Sequence, residues 1–167
     1  LGLEEKKESS DFFSIGTDVL LDKIDSKKGE FVSTDGRILG QHKGIQYYTI
    51  GQRKGLAIAL GKPVYVVSID KDKNQVVVGD EEYLFKNRFT VKDLNWIYGY
   101  PPDNNVSIKA KIRYRTLEEA AVIESIEDEI VTVKFVKPQR AITPGQSAVF
   151  YDGDIVLGGG VIKDVLN

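Results

Sequence analysis

Short runs rich in β-branched residues recur along this chain at intervals of about ten residues, with turn residues between them, and that rhythm limits the fold more than any other feature. GEFVST (29–34) and RILGQ (37–41) flank Asp35-Gly36, a dipeptide suited to a tight hairpin turn. VYVVSI (64–69) and QVVVG (75–79) flank the polar DKDKN segment as a second hairpin. TVKDLNWI (90–97), VSIKAKIRYR (106–115), AAVIESI (120–126), IVTVKFV (130–136), SAVFY (147–151) and DIVLGGGVI (154–162) follow. One helix is predicted: Thr17 caps DVLLDKID, with Val19, Leu20 and Ile24 on one face. Strands at this spacing favour an all-β barrel or sandwich over alternating βαβ units. The spacing predicts a mainly β protein in three parts. A polar lead-in covers 1–16, a small β-rich module 17–89, and a six-stranded barrel 90–167, with a boundary near Phe89 after an irregular stretch around Lys86–Arg88.

Composition removes several chemistries. There is no cysteine, which excludes disulfides, thiolate metal sites and cysteine nucleophiles within these 167 residues. The single histidine, His42, excludes multi-histidine metal centres, and its place beside Lys43 reads as a plain surface histidine. No apolar run approaches the roughly 18 residues of a membrane span, and the start, LGLEEKKESSDFF, lacks the order of a signal peptide. An intracellular, cytoplasmic protein without membrane attachment is expected, and the missing initiator Met suggests a piece of a longer chain. The net charge of −2 argues against an overall field for nucleic acid. It divides unevenly: two cations and four anions over 1–16, twelve and ten over 17–89, nine and eleven over 90–167. Any polyanion-binding face is therefore a local stripe.

Two segments stand out for chemistry. GQHKGIQYYTIGQRKGL (40–56) packs four glycines, two adjacent tyrosines and Gln52-Arg53-Lys54 into seventeen positions. Dense glycine marks positive φ or close backbone approach, and aromatics beside cations suit a surface for a polyanion. A glycine-punctuated hairpin with solubilising cations explains it equally well. In 106–115, Lys109, Lys111, Arg113 and Arg115 alternate with Val106, Ile108, Ala110, Ile112 and Tyr114. A strand's period of two places all four cations on one face. Either acidic neighbours such as Glu118, Glu119 or Glu127–Glu129 neutralise that row, or it contacts phosphates, and the phosphate reading is favoured.

Other features read as structure. Pro144-Gly145 fixes a type II-like bend that leaves Gln146 at its exit, on the residues alone an ordinary barrel corner. Asp152-Gly153 closes a hairpin. Gly158-Gly159-Gly160 lacks the helix and Lys-Ser/Thr of a phosphate loop, so a bulge or close packing explains it better. Trp96 is assigned to the barrel core. Carboxylates form no acid/base pair, and no catalytic or metal-binding residue is assigned.

Taken in order, GQHKGIQYYTIGQRKGL, VYVVSIDKDKNQVVVG, DLNWI, KIRYR and ITPGQSAVFYDGDIVLGGGVI resemble the C-terminal half of the tRNA-specific 2-thiouridylases. The resemblance covers nearly the whole chain from Lys6 onward. It implies a central β-rich domain and a C-terminal barrel like those of translation factors, taken from a tRNA-uridine 2-sulfurtransferase. The family's ATP-pyrophosphatase domain, with ATP and Mg, would precede them, so this portion would hold no cofactor and would not be catalytic alone. It further implies tRNA contacts at Arg113, Tyr114 and Gln146, on the anticodon arm. Arg53, Lys54, Lys109, Lys111 and Arg115 are supporting candidates from charge, and a sulfur-relay protein is a potential partner of the parent. KKESSDFFSIG (6–16) departs from the family pattern: Phe13 stands where its second sulfur-handling cysteine is found. Competing readings are a stand-alone RNA-binding barrel and a protein-docking scaffold.

Overall fold

The computed structural model describes residues 27–114 and 116–166. The predicted helix after Thr17, the lead-in with Phe13, and Arg115 lie outside the described residues. The chain divides into two compact units, Leu1–Gly79 and Asp80–Asn167.

The first unit carries a four-stranded sheet in the order β2-β1-β4-β3. Its strands are β1 (Gly29–Ser33), β2 (Ile38–His42), β3 (Tyr65–Asp70) and β4 (Gln75–Gly79). The two hairpins form at the predicted turns. Gly36 supplies a φ of +86° in the first, a conformation that costs glycine little. The sheet joins them by a parallel pairing of β1 with β4, Phe31 opposite Val76. Phe31, Leu56, Val64, Val66, Val76 and Val78 form the core of this unit.

Beyond His42 the glycine-rich stretch is not strand. It forms a single turn of 3-10 helix at Ile45–Tyr47. It then docks on the edge of β3: Gly51 N–H donates to Val66 O at 2.8 Å, and Val66 N–H to Gln52 O at 2.9 Å. His42 corrects the sequence reading, because its side chain is buried rather than on the surface. The Gly44 N–H donates to His42 Nδ1 at 3.1 Å, which places the ring proton on Nε2, 3.2 Å from Asn74 O. Both nitrogens are therefore satisfied by backbone, and burial pushes the pKa below its usual value. The signal missed was tertiary: β2 turns the ring inward against Phe31 and Tyr48, at centroid distances of 5.4 and 5.6 Å.

The second unit is a closed barrel in the order β10-β5-β8-β7-β6-β9. Its strands are β5 (Phe85–Trp96), β6 (Val106–Lys111), β7 (Glu119–Glu127), β8 (Ile130–Arg140), β9 (Ser147–Asp152) and β10 (Ile155–Leu166). Residues 86–88, predicted to be irregular ahead of a boundary near Phe89, lie within β5, where Lys86 and Arg88 pair with β8 across a register shift at Asn87. Phe89, Ile123, Val133, Phe135, Phe150 and Ile162 fill the interior. Each such side chain contributes about 2–3 kcal/mol by leaving water. Trp96 is partly buried and packs on this core, 5.8 Å from Phe150 ring to ring. The glycine run lies within β10, where a Cβ on Gly159 would sit 2.3 Å from Ala148 O and one on Gly160 2.4 Å from Lys92 O. Close backbone approach accounts for these glycines.

All neighbouring strands of the barrel are antiparallel. The connections therefore alternate strictly between its two ends. Residues 97–105, 128–129 and 153–154 lie at one end, and residues 112–118 and 141–146 at the other.

Candidate nucleic-acid interface

Strand β6 follows the predicted alternation as far as it runs. Ile108, Ala110 and, just beyond its end, Ile112 are buried, while Lys109 is exposed and Lys111 half-exposed. The strand stops at Lys111, four residues short of the predicted end. The row of four cations is therefore broken. Lys109 Nζ lies 3.5 Å from Glu118. The Glu118 carboxyl is held below its usual range by its own backbone N–H and by Lys109 and Lys111. The neutralising partner considered from sequence is present for this part of the row. The pair is solvent-exposed, so its contribution to stability is small.

At Arg113 the chain bends. Thr116 Oγ1 donates to Arg113 O at 3.1 Å and closes the turn. The Arg113 side chain folds back, and its Nη2 donates to Ala141 O. Burial, then the nearby charge of Arg140, lowers its pKa. Tyr114 projects outward and is 93% exposed. An exposed tyrosine beside a fixed guanidinium gives up no packing when it meets a ligand.

The second loop is built around the same carbonyl. Ala141 is buried at a φ of +52°, and its N–H donates to Leu84 O at 2.7 Å. Its carbonyl accepts from Thr143 Oγ1 at 2.9 Å as well as from Arg113. Thr143-Pro144-Gly145-Gln146 then makes the predicted turn: Gln146 N–H donates to Thr143 O at 3.3 Å, and Gly145 has a φ of +88°. Ile162 N–H donates to Gln146 O at 2.8 Å, which fixes the backbone of Gln146 while its side chain stays exposed.

Register brings the two loops together. β6 pairs with β9 through Lys109↔Tyr151 and Lys111↔Val149. Continuing that register sets Arg113 level with Ser147, next to Gln146. Arg113 and Tyr114 share one barrel end with Gln146, more than thirty residues further along the sequence. Sequence reasoning missed Ala141, Thr143 and Arg140. A short residue at left-handed φ carries no sequence mark, and Arg140 lies outside the alternating run.

The two ends differ in charge. Asp103, Glu127, Asp128, Glu129, Asp152 and Asp154 cluster at the far end, and stretches 97–105, 127–130 and 151–155 contain no lysine or arginine. Lys111, Arg113, Lys137 and Arg140 gather at the near end, with Glu118, Glu119 and Glu81, which pairs with Arg140. The far end, with carboxylates and no cation in its loops, is the less favourable of the two for a polyanion.

Arg53 and Lys54 belong to the first unit and are exposed. Gln52 shapes their loop: its Oε1 accepts from Thr49 N–H and its Nε2 donates to Lys54 O, both at 3.0 Å. Arg53 borders an open hollow of about 560 Å³ floored by Leu56, Ile58 and Val64. Lys43 is spent on the Tyr47 ring, 4.0 Å from its centroid.

Comparison with known sequences bears on both units. Residues 17–80 match the tRNA methyl transferase PRC-barrel domain family, and residues 86–162 the aminomethyltransferase β-barrel domain family. The chain is 57% identical over 137 residues to the tRNA-specific 2-thiouridylase MnmA of Acetivibrio thermocellus, covering 82% of the chain and 38% of that protein. It is 55% identical over 137 residues to the protein of the same name from Clostridium acetobutylicum, covering 82% of the chain and 39% of that protein. The chain thus spans about two fifths of the length of the curated relatives it matches.

Proposed function

Because the chain belongs to the tRNA-specific 2-thiouridylase family, we propose that it is the tRNA-holding portion of a tRNA-uridine 2-sulfurtransferase. In this reading the barrel end with Arg113, Tyr114 and Gln146 grips the anticodon arm while another domain modifies the wobble uridine. Arg113 supplies a guanidinium to a phosphate, Tyr114 a face for stacking, and Gln146 a donor and acceptor for a sugar or base edge. Lys109 and Lys111 add attraction along the strand, although Lys109 is shared with Glu118. Such contacts hold the substrate in register more than they read its sequence.

The chemistry is assigned elsewhere in the parent protein. Among the described residues no group of three His, Asp or Glu side chains suits a metal ion, and Gly158–Gly160 is packed strand that cannot cradle a phosphate. In this reading ATP and Mg would be held by a part of the parent protein outside this chain, and the portion described would not be catalytic alone. A cytoplasmic setting and a sulfur-relay partner fit the same assignment. Among the described residues no helix is long and apolar enough to cross a membrane.

The observation that carries the reading is Tyr114, 93% exposed on a bend whose other residue, Arg113, is anchored. Titrating labelled tRNA at two salt concentrations tests it. Binding should weaken steeply with salt, and Tyr114→Ala should weaken it without altering the melting curve. Absence of binding at low salt would remove the proposal.

A further inference from the structure

A cluster of exposed apolar side chains lies at the acidic end of the barrel, away from Arg113, Tyr114 and Gln146. An open furrow of about 330 Å³ runs along β10 between β5 and β9, lined by Asn95, Ile97, Val149 and Val156, and no side chain rises into it from Gly158–Gly160. Ile97 and Val156 mark its mouth at the acidic end, with Tyr98, Tyr100 and Ile155 close by in sequence. Ile97, Tyr98, Tyr100 and Ile155 are each more than half exposed, and the two tyrosine rings lie with centroids 6.4 Å apart. Backbone hydrogen bonds fix this segment: Ile97 N–H donates to Leu157 O at 3.0 Å and Gly99 N–H to Trp96 O at 3.1 Å. Apolar side chains gathered on a protein surface mark an interaction face, and tyrosine is enriched in such faces. The surrounding charge narrows the partner. Asp103 follows Tyr100 closely, Asp152 and Asp154 sit at the β9–β10 turn before Ile155, and these loops hold no lysine or arginine. Among the described residues no ion pair engages those three aspartates. Lys92 on β5 is paired with Asp93 at 3.2 Å and Lys109 on β6 with Glu118 at 3.5 Å, and Lys163 lies further along β10 toward the opposite end. A phosphate backbone or an acidic lipid surface would meet repulsion here, whereas a partner that joins apolar side chains to cations is complementary.

We propose that this furrow and the Tyr98–Tyr100 patch form a docking face for a separate protein, which lays a segment of alternating apolar and basic residues along β10. From Val156 to Val161 the furrow follows a strand for roughly 17 Å, room for about five residues of extended chain. The barrel is closed and offers no free strand edge, so side chains rather than added backbone pairing carry the contact. Apolar groups of the segment cover Ile97 and Val156, and its cations reach Asp103, Asp152 and Asp154. The proposal does not depend on the tRNA-holding reading, because the two faces lie at opposite ends of the barrel.

The experiment titrates the 167-residue chain into a short labelled peptide of alternating lysine and leucine, read by fluorescence anisotropy, with an alternating glutamate–leucine peptide as control. The lysine peptide should bind and the glutamate peptide should not. Ile97→Ser and Val156→Ser should each weaken binding about fivefold, as expected of one lost apolar contact. Asp152→Asn combined with Asp154→Asn should weaken it about tenfold at low salt and less at high salt. These positions are exposed, so melting curves should not move; should a furrow variant fold poorly, the aspartate pair still decides the question. Amide resonances of Gly158–Gly160 should shift with the lysine peptide while those of Tyr114 stay in place. No binding of the lysine peptide, equal binding of both peptides, or binding indifferent to Val156→Ser would overturn the proposal. So would self-association of the chain abolished by Ile97→Ser, which would assign the face to a second copy. Shifts of Gly158–Gly160 on adding tRNA alone would assign it to RNA and equally overturn it.

Discussion

Two segments of this chain place aromatics beside cations, and folding treats them in opposite ways. In 40–56 the rings turn inward: His42, Tyr48 and Phe31 pack edge to face with centroids 5.1–5.6 Å apart, and Lys43 covers Tyr47. In 111–118 the ring turns outward, and Tyr114 is left with almost all of its surface in water. The same composition builds a core in one unit and a candidate RNA contact in the other. Exposure separates them, and exposure depends on which strand edge or barrel end the chain reaches. A glycine- and aromatic-rich motif can therefore be spent largely on packing.

Substitutions that exchange the roles of these segments would sharpen the contrast. The largest effect is expected from Tyr48→Ala, which should lower the stability of the first unit by about 2 kcal/mol through lost packing; a chemical denaturation curve reads it directly. Next, Arg113→Ala should cost about tenfold in tRNA affinity and flatten the salt dependence. Tyr114→Ala should lower affinity several-fold, as expected of one lost stacking contact, and leave stability within about 0.5 kcal/mol. If Tyr114→Ala instead lowered the melting temperature as Tyr48→Ala does, the contrast would collapse.

A fourth difference is in pH response. Burial lowers the pKa of His42 from 6.5, so the unfolded chain takes up a proton that the folded one refuses. Its contribution is present above pH 6.5 and is lost as pH falls through the lower folded value. Protonation would also remove the acceptor for the Gly44 N–H. The first unit should melt several degrees lower near pH 5 than near pH 7, and His42→Gln should flatten that dependence. The smallest effect belongs to the acidic barrel end. Neutralising Asp152 and Asp154 to Asn should raise the tRNA association rate by less than about threefold at low salt and not at all at high salt. A larger change would mean that RNA reaches that end as well.

Much of this molecule was legible before folding. Turn dipeptides and β-branched runs located the hairpins and the barrel strands, because a pleated backbone alternates its side chains whatever its neighbours are. Alternation in 106–112 correctly assigned Ile108, Ala110 and Ile112 to the interior. The same rule overran at Arg113, where the strand ends and the side chain folds back to Ala141 O. Periodicity reports the face of a strand but not its length. The burial of His42 was equally invisible, since a histidine beside a lysine carries no sign that Asn74 O and Gly44 N–H await both its nitrogens.

The sequence by itself determined the β character, the turn positions, the buried face of the strand at 106–112 and the family. Each of these depends on local chemistry or on residue order. Only the tertiary structure decided which loops meet. Closing six antiparallel strands into a barrel sends alternate connections to opposite ends, and that rule gathers Arg113, Tyr114 and Gln146 at one end and an all-acidic set of charged loop residues at the other. No local pattern encodes such a division, because an end is a property of strand pairing and not of any strand alone.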